Sequence, residues 1–451
     1  MPKNQADILI CGAGIAGVSA AYYLAKSGVN NILLIDERPP LSLTSDHSSE
    51  CYRNWWPDPA MLALMNHSID LMEELADATG NPFHMNRRGY LYLTGDESKI
   101  PEITERATRI SGLGAGQFRI HRSEGGDYQP AAPEGFHDQA DGADLILDPA
   151  LIREHFPYLT EEVVAALHVR RAGWLSAQQL GMTLLEGARK LGVRYESARV
   201  IGVAINNEKV RAVELADGRR ISTDIFINAA GPIFKEVGKM IGLDLPVFTE
   251  LHLKAAFNDN LGTLERDAPL VIWDDIQKLK WTDEEREFLL EEGLDWMLDN
   301  FPSGVHIRPE GGSASQMILM LWEYQKKQIA PIWPLPLDEK YPEITLRGLS
   351  KMLPGLSKYF DHMPRPILDG GYYTKTPENR PLIGETPVEG AYLIGALSGY
   401  GIMAACGAGD LLAAQITGQM RHAYAREFSL ERYDRPGYLE DILTRYDTGQ
   451  L

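Results

Sequence analysis

Gly12, Gly14 and Gly17 stand at the spacing of a GxGxxG turn, with Asp36 downstream, and together these residue types can grip the diphosphate and one ribose of a dinucleotide. Gly12 permits a tight turn, Gly14 lets backbone approach a pyrophosphate, and Gly17 lets a helix touch the strand before it. Ile15 and Ala16 open that helix, whose first N–H groups are left bare for phosphate oxygens. Asp36, with Glu37 beside it, offers carboxylate to both ribose hydroxyls. A second group, Ser45, His47, Ser48 and Ser49, is small or polar and suited to lie beside a phosphate or a flat ring, and Arg53, Trp55 and Trp56 follow it. A third lies near the other end, where the turn Gly399-Tyr400-Gly401 opens a small-residue helix through Ile402 and Met403 and again presents free N–H groups and positive potential.

The elements needed to position these groups are legible around them. Residues 8–11 form an apolar strand, 18–26 a helix with Gly28 as a plausible cap, and 32–35 a second strand ending at Asp36. Residues 58–78 carry an apolar stripe at helical spacing, and 87–94 alternate like a strand leaving the first unit. Residues 111–144, rich in glycine, proline and acids, read as a long loop or insertion with no chemistry of its own. Short helices are expected over 148–159 and 175–191, then strands over 193–213 turning at Asn206-Asn207, with a further turn at Asp217-Gly218. Residues 224–232, DIFINAAGP, are a buried strand ending in the small pair Ala230-Gly231, where backbone can lie close to a ligand. The acidic stretch 257–304 holds a helix started by a capping box at Thr282 and ended at Gly293. Strand character returns over 306–323, and a helix is expected over 346–356, ended by Pro354-Gly355. Strand 391–394 feeds the second glycine turn, and the tail 421–451 is polar and uninformative.

With 451 residues, 44% of them hydrophobic, the chain is globular with two or three domains. A net charge of −19 argues against nucleic-acid or anionic-membrane partners. Cys11, Cys51 and Cys406 are few and scattered, which suggests neither a disulfide framework nor a metal site and fits a reducing compartment. No apolar run is long enough for a membrane span, and the first strand begins too early for a signal peptide, so a cytoplasmic protein is expected.

Taken together, the cradle DILICGAGIAGVSAAYYLAKSG…ILLIDE, the loop TSDHSSECYRNWW, the strand RRGYLYL, FINAAGP, HIRPEGG and the ending TPENRPLIG…GALSGYGIMAACGAGDLLA resemble the D-amino-acid oxidase family of flavoenzymes, which includes sarcosine oxidase, glycine oxidase and dimethylglycine dehydrogenase. The resemblance covers nearly the whole chain. It implies an α/β fold, with a Rossmann-type FAD-binding domain assembled from residues 1–85, 145–245 and 365–451. A second, α+β substrate domain on a mostly antiparallel sheet would come from 86–144 and 246–364.

The resemblance further implies FAD as cofactor. Gly12, Gly14 and Gly17 would meet its pyrophosphate, Asp36 its ribose, and Val200 its adenine through backbone. Ala230 and Gly231 would line it, and Gly399 to Ile402 would face the pyrimidine edge of the isoalloxazine. Arg53 falls where sarcosine oxidase keeps an arginine for the substrate carboxylate, and His47 near where dimethylglycine dehydrogenase attaches its flavin. Departures are also visible: Gly371 replaces a flavin-linking cysteine, Met403 a carboxylate-binding lysine and Tyr400 a common histidine, while Leu319 or a neighbour stands where an oxygen-activating lysine is expected.

The implied reaction is oxidation of the C–N bond of a secondary or tertiary amine or N-methylated amino acid, by hydride transfer to flavin N5, giving an imine that hydrolyses. Electrons would leave to dioxygen or a carrier protein. Arg53, Tyr372 and Tyr400 are the expected catalytic residues. Trp55, Trp56, Trp322, Tyr324 and Tyr373, with Tyr372, would form an apolar wall that neutralises the amine by desolvation, making a dedicated base unnecessary. Two alternatives stand beside this reading: a 2-hydroxy-acid dehydrogenase using a base such as His252 or His306, and a non-catalytic scaffold docking a partner through the acidic helix of 283–292.

Overall fold

Ile8–Cys11 is the centre of the first sheet. All four residues are buried, as in a parallel strand covered on both faces, and the strand pairs in parallel with Ile32–Asp36 on one side and Ile225–Asn228 on the other. The six strands run in the order Leu382–Glu385, Ala391–Gly395, Ile225–Asn228, Ile8–Cys11, Ile32–Asp36, Arg194–Ser197. Only the edge pair Leu382–Glu385 with Ala391–Gly395 is antiparallel. The structure, a computed structural model, describes residues 4–122, 128–420 and 422–445.

Helices Ile15–Lys26 and Gly401–Thr417 pack against each other on this sheet, and small residues set how closely. A Cβ on Gly409 would meet Ser19 Oγ at 2.3 Å, and the Ser19 hydroxyl donates to the Ala405 carbonyl at 2.6 Å. Helix Pro59–Thr79, capped by the Asp58 carboxylate on the Ala60 N–H, packs on Gly401–Thr417 through Gly407, where a Cβ would meet Ser68 Cβ at 3.0 Å. The helices starting at Ile15 and Gly401 each follow a parallel strand, Ile8–Cys11 and Ala391–Gly395. Both therefore begin at the carboxyl ends of that sheet, where α/β folds place their ligands.

A second sheet of nine strands runs Ile367–Lys375, Phe248–Asn258, Met317–Leu321, Val305–Pro309, Leu270–Trp273, Tyr90–Thr94, Ala165–Val169, Ala143–Ile146, Phe118–His121. All its pairs are antiparallel except Leu270–Trp273 with Tyr90–Thr94 and Phe118–His121 with Ala143–Ile146. The α/β class with a mostly antiparallel second sheet is as expected, but the strand order crosses the expected boundaries. Ala165–Val169 and Ile367–Lys375, placed by sequence in the nucleotide-binding unit, join the second sheet because their partners are Tyr90–Thr94 and Phe248–Asn258. A three-stranded antiparallel ribbon begins at Val200–Asn206.

Other expectations needed correction. Within 111–144, residues 123–127 lie outside the described residues, but Phe118–His121 and Ala143–Ile146 are strands. They are held by polar pairs, Arg119 Nε and His121 Nε2 both reaching Asp144 Oδ1 at 2.6 and 2.9 Å, and so carry little hydrophobic signature. The expected 346–356 helix is Tyr341–Leu349, with Pro342 in its first turn, and Pro354 instead begins a separate 3₁₀ turn, Pro354–Tyr359.

The tail, of which residues 421 and 446–451 lie outside the described residues, is tied down by Arg432. Its side chain and that of Glu378 are both fully buried, with Nε donating to Glu378 Oε1 at 2.8 Å and Nη1 to the Pro381 carbonyl at 2.7 Å. Arg432→Met leaves the Glu378 carboxylate buried without its counter-charge, so a loss of about 3 kcal/mol in urea unfolding is expected. Adding Glu378→Met should recover much of it, and a recovery of nothing would show that the pair is not the cause.

Candidate active site

The two helix starts open onto one cleft of about 520 Å³, a size usual for cofactor sites. Gly12 sits at φ +111°, and a Cβ there would meet the Ala229 carbonyl oxygen at 2.4 Å. A Cβ on Gly17 would meet the Gly12 carbonyl oxygen at 1.9 Å. These two glycines are demanded by the protein's own packing. Gly14 differs: a Cβ there would meet only Ser45 Oγ, at 3.4 Å, so the space above it belongs to the cleft. Ser45 Oγ accepts the Ile15 N–H at 3.0 Å, holding the loop after Asp36 against the helix start.

Asp36 Oδ2 accepts from the Ala13 N–H at 2.7 Å and Oδ1 from the Arg38 N–H at 2.9 Å. Burial pushes its carboxyl above the usual range, against the pull of those N–H groups. The same cleft is lined by Ile15, Ala16, Glu37, Ser48, Val200, Ala230 and Gly231, and by Gly399, Gly401 and Ile402. The second turn is strained, with Ala396 and Ser398 at φ +53° and +46°, as functional turns often are. A diphosphate over Gly14, a ribose at Asp36 and a flat ring at Gly399–Ile402 fit this lining, so the residues present suit FAD.

A smaller chamber of about 70 Å³ shares Tyr373 and Gly399 with the cleft and therefore abuts its glycine-turn end. Arg53, Ser49, Trp56, Tyr373, Tyr400 and Met403 line the chamber, as do His47 and Gly371. The Arg53 guanidinium lies over Trp56 and Tyr90, 4.9 and 5.8 Å from the ring centroids. His47 Nδ1 is paired with Asp369 at 2.8 Å, which raises its pKa. The Tyr400 hydroxyl donates to the Asn379 carbonyl at 2.8 Å.

Four expected positions are elsewhere. Tyr372 lines the cleft, its hydroxyl donating to the Ile332 carbonyl and accepting the Ile332 N–H, both at 3.0 Å; it holds the backbone at Ile332 and is not among the residues that line the chamber. Trp55 lies in the core beside helix Pro59–Thr79. Trp322 packs on Gly348, where a Cβ would meet its ring at 2.3 Å, and Tyr324 stacks on Tyr341 at 5.7 Å. The cause is strand alternation: Leu321 and Glu323 face the chamber, so Trp322 and Tyr324 face the opposite core.

The chamber wall is consequently charged where an apolar one was expected, and the same alternation supplies it: Lys254 and His252 are two apart on Phe248–Asn258, and both line it. That polar spacing, with Glu250 in step, was readable in the sequence. Lys254 Nζ donates to the Ser48 carbonyl at 2.9 Å.

His252 Nε2 lies 3.2 Å from Glu250 and Nδ1 2.9 Å from Glu323. With an acceptor at each ring nitrogen, both carry hydrogen. Burial opposes that charge, and the two carboxylates overcome it, raising the His252 pKa. In return the His252 hydrogen bond, with Lys375, lowers Glu250 to about 2, and against burial His252 lowers Glu323 to about 2.

The signs define a window. The carboxylates' contribution is complete above 4.5 and lost as pH falls toward 2, while that of His252 is complete below 6.5 and lost as pH rises through its raised value. The gap in thermal midpoint between the wild type and His252→Asn should therefore be widest between pH 4.5 and 6.5. A gap independent of pH would contradict the clamp.

His306 is the opposite case. Its Nδ1 donates to the Gly304 carbonyl at 2.8 Å, which leaves Nε2 as the ring's acceptor, and burial pushes its pKa below 6.5. The chamber thus holds a neutral imidazole, His306, and a charged one, His252.

Residues 7–415 match the family described as "DAO: FAD dependent oxidoreductase". Over 292 residues the chain is 26% identical to the mitochondrial dimethylglycine dehydrogenase of Rattus norvegicus, covering 64% of this chain and 31% of that protein; the chain thus spans about a third of the length of that relative. It is 25% identical over 257 residues to sarcosine oxidase subunit beta of Rhizobium meliloti (strain 1021), covering 57% and 56%. The fold is similar to that of L-proline dehydrogenase from P. horikoshii, with TM-score 0.74, 21% identity and coverage of 96% and 98%.

Proposed function

From the premise that the chain belongs to the DAO family of FAD-dependent oxidoreductases, we propose that it oxidises the C–N bond of a small secondary or tertiary amine or N-methylated amino acid. The observation that carries this reading is the charged chamber abutting the glycine-turn end of the cofactor cleft. Its volume, about 70 Å³, favours a small substrate. The Arg53 guanidinium fork suits a carboxylate, and the ionised Glu323 suits an ammonium.

Bound FAD supplies a two-electron acceptor. The chain's residues do the rest: Arg53 orients the carboxylate, and His306 takes the ammonium proton at Nε2, which prepares the amine for oxidation. Trp56, Tyr373 and Tyr400 line the chamber and limit water there, Trp56 and Tyr400 meeting edge to face at 5.4 Å. Oxidation at C–N leaves an imine that water splits, so a single anaerobic turnover should release about one free amine and one carbonyl product per chain. Recovery of a carbonyl without amine would refute the reading.

His306 also favours a second reading, since a neutral imidazole can take the hydroxyl proton of a 2-hydroxy acid; that chemistry releases no amine. The acceptor of the electrons is dioxygen or a carrier protein. Three free, buried cysteines support a reducing, cytoplasmic setting, and among the described residues no helix is long and apolar enough to cross a membrane.

A further inference from the structure

On the chamber-remote part of helix Gly401–Thr417, Asp410 meets two histidines from other elements. His67 comes from helix Pro59–Thr79, and His422 caps the helical turn Ala423–Glu427. His67 Nε2 lies 2.9 Å and His422 Nε2 4.0 Å from the same oxygen, Asp410 Oδ2, and all three donor atoms fall within 4.8 Å of one another. The imidazole centroids are 4.4 Å apart, and Tyr424 stacks on the outer one at 5.0 Å. Among the described residues no lysine or arginine pairs with Asp410, whose ion-pair partners are these two rings.

We propose that His67, Asp410 and His422 bind one divalent transition-metal ion of the zinc type, with water completing the shell. Two imidazoles and a carboxylate are the donor set such ions take. A tetrahedral zinc holds its ligand atoms about 3.4 Å apart, and the observed 2.9 and 4.0 Å bracket that spacing. All three residues are half-buried, so the rings have room to adjust, His67 moving off Asp410 and His422 moving in, and a bound water has access. The ion supplies the positive charge that no described lysine or arginine gives Asp410, and it fastens the segment beginning at His422 to helices Pro59–Thr79 and Gly401–Thr417. The site stands on three residues that neither the FAD cleft nor the chamber uses, so it does not depend on the proposed reaction.

The test uses FAD-loaded protein, stripped with chelator, dialysed against micromolar zinc chloride and analysed for metal. The wild type should retain about one zinc per chain, and zinc should raise its thermal midpoint by a few degrees. His422→Ala and Asp410→Asn should retain less than about a tenth of an equivalent and show no zinc-dependent shift, while their metal-free midpoints and flavin spectra match the wild type. Asp410→Asn preserves the shape of the contact with His67 and serves where His422→Ala folds poorly. Less than about a tenth of an equivalent in the wild type, or retention undiminished in both variants, overturns the proposal and leaves a plain histidine–aspartate ion pair.

Discussion

Gly14→Ala is expected to yield a folded protein that emerges colourless. A Cβ at Gly14 meets only the Ser45 hydroxyl, at 3.4 Å, so the apoprotein loses nothing in packing and its thermal midpoint should stay within about a degree of the wild-type apoprotein. The methyl group instead occupies the space in which a diphosphate must approach backbone. FAD affinity should fall by roughly a thousandfold, about 4 kcal/mol, read by titrating apoprotein with FAD. Gly12→Ala gives the contrasting outcome. With φ at +111° and the Ala229 oxygen 2.4 Å away, it should lower the apoprotein's stability as well. If Gly14→Ala binds FAD normally, the diphosphate does not lie over this turn.

The second large effect is expected at His306. His306→Gln removes the neutral imidazole while keeping an amide near Nε2, so flavin reduction by substrate should slow by about 10²- to 10⁴-fold. The pH profile carries the signature. In the wild type the base form persists below the ordinary histidine value of 6.5, because burial lowers the pKa, and the acid limb should therefore lie below 6.5. In the variant that limb should vanish, and the rate should climb with pH as the amine loses its own proton. A slowed variant with an unshifted acid limb would show that His306 is structural and another group takes the proton.

The residues that line the large cleft were legible in the sequence because their logic is steric and local. Gly12 and Gly17 are forced by the Ala229 and Gly12 carbonyls, and the two glycine turns that open helices Ile15–Lys26 and Gly401–Thr417 are continuous in the chain. The chamber was read less well, for reasons of register. On Met317–Leu321 and its continuation, one face carries Leu321 and Glu323 and the other Trp322 and Tyr324. Aromatic residues draw the eye to the face that packs inward, yet the face carrying Glu323 lines the chamber. On Phe248–Asn258 the same alternation puts Glu250, His252 and Lys254 in step, a legible polar spacing from which only His252 was singled out. Elements held by ion pairs were hardest to see: Asp144 under Phe118–His121, and Arg432 with Glu378 in the tail, are long-range pairings that leave no periodic pattern.

The most direct test of the central claim, a charged chamber delivering an amine to FAD, is anaerobic mixing of the FAD-loaded protein with a panel of small N-methylated amino acids and their 2-hydroxy counterparts, followed in the flavin absorption band. Bleaching by at least one N-methylated amino acid, with the hydroxy acids inert, is the predicted result. Bleaching by hydroxy acids alone, or by neither class, would contradict it.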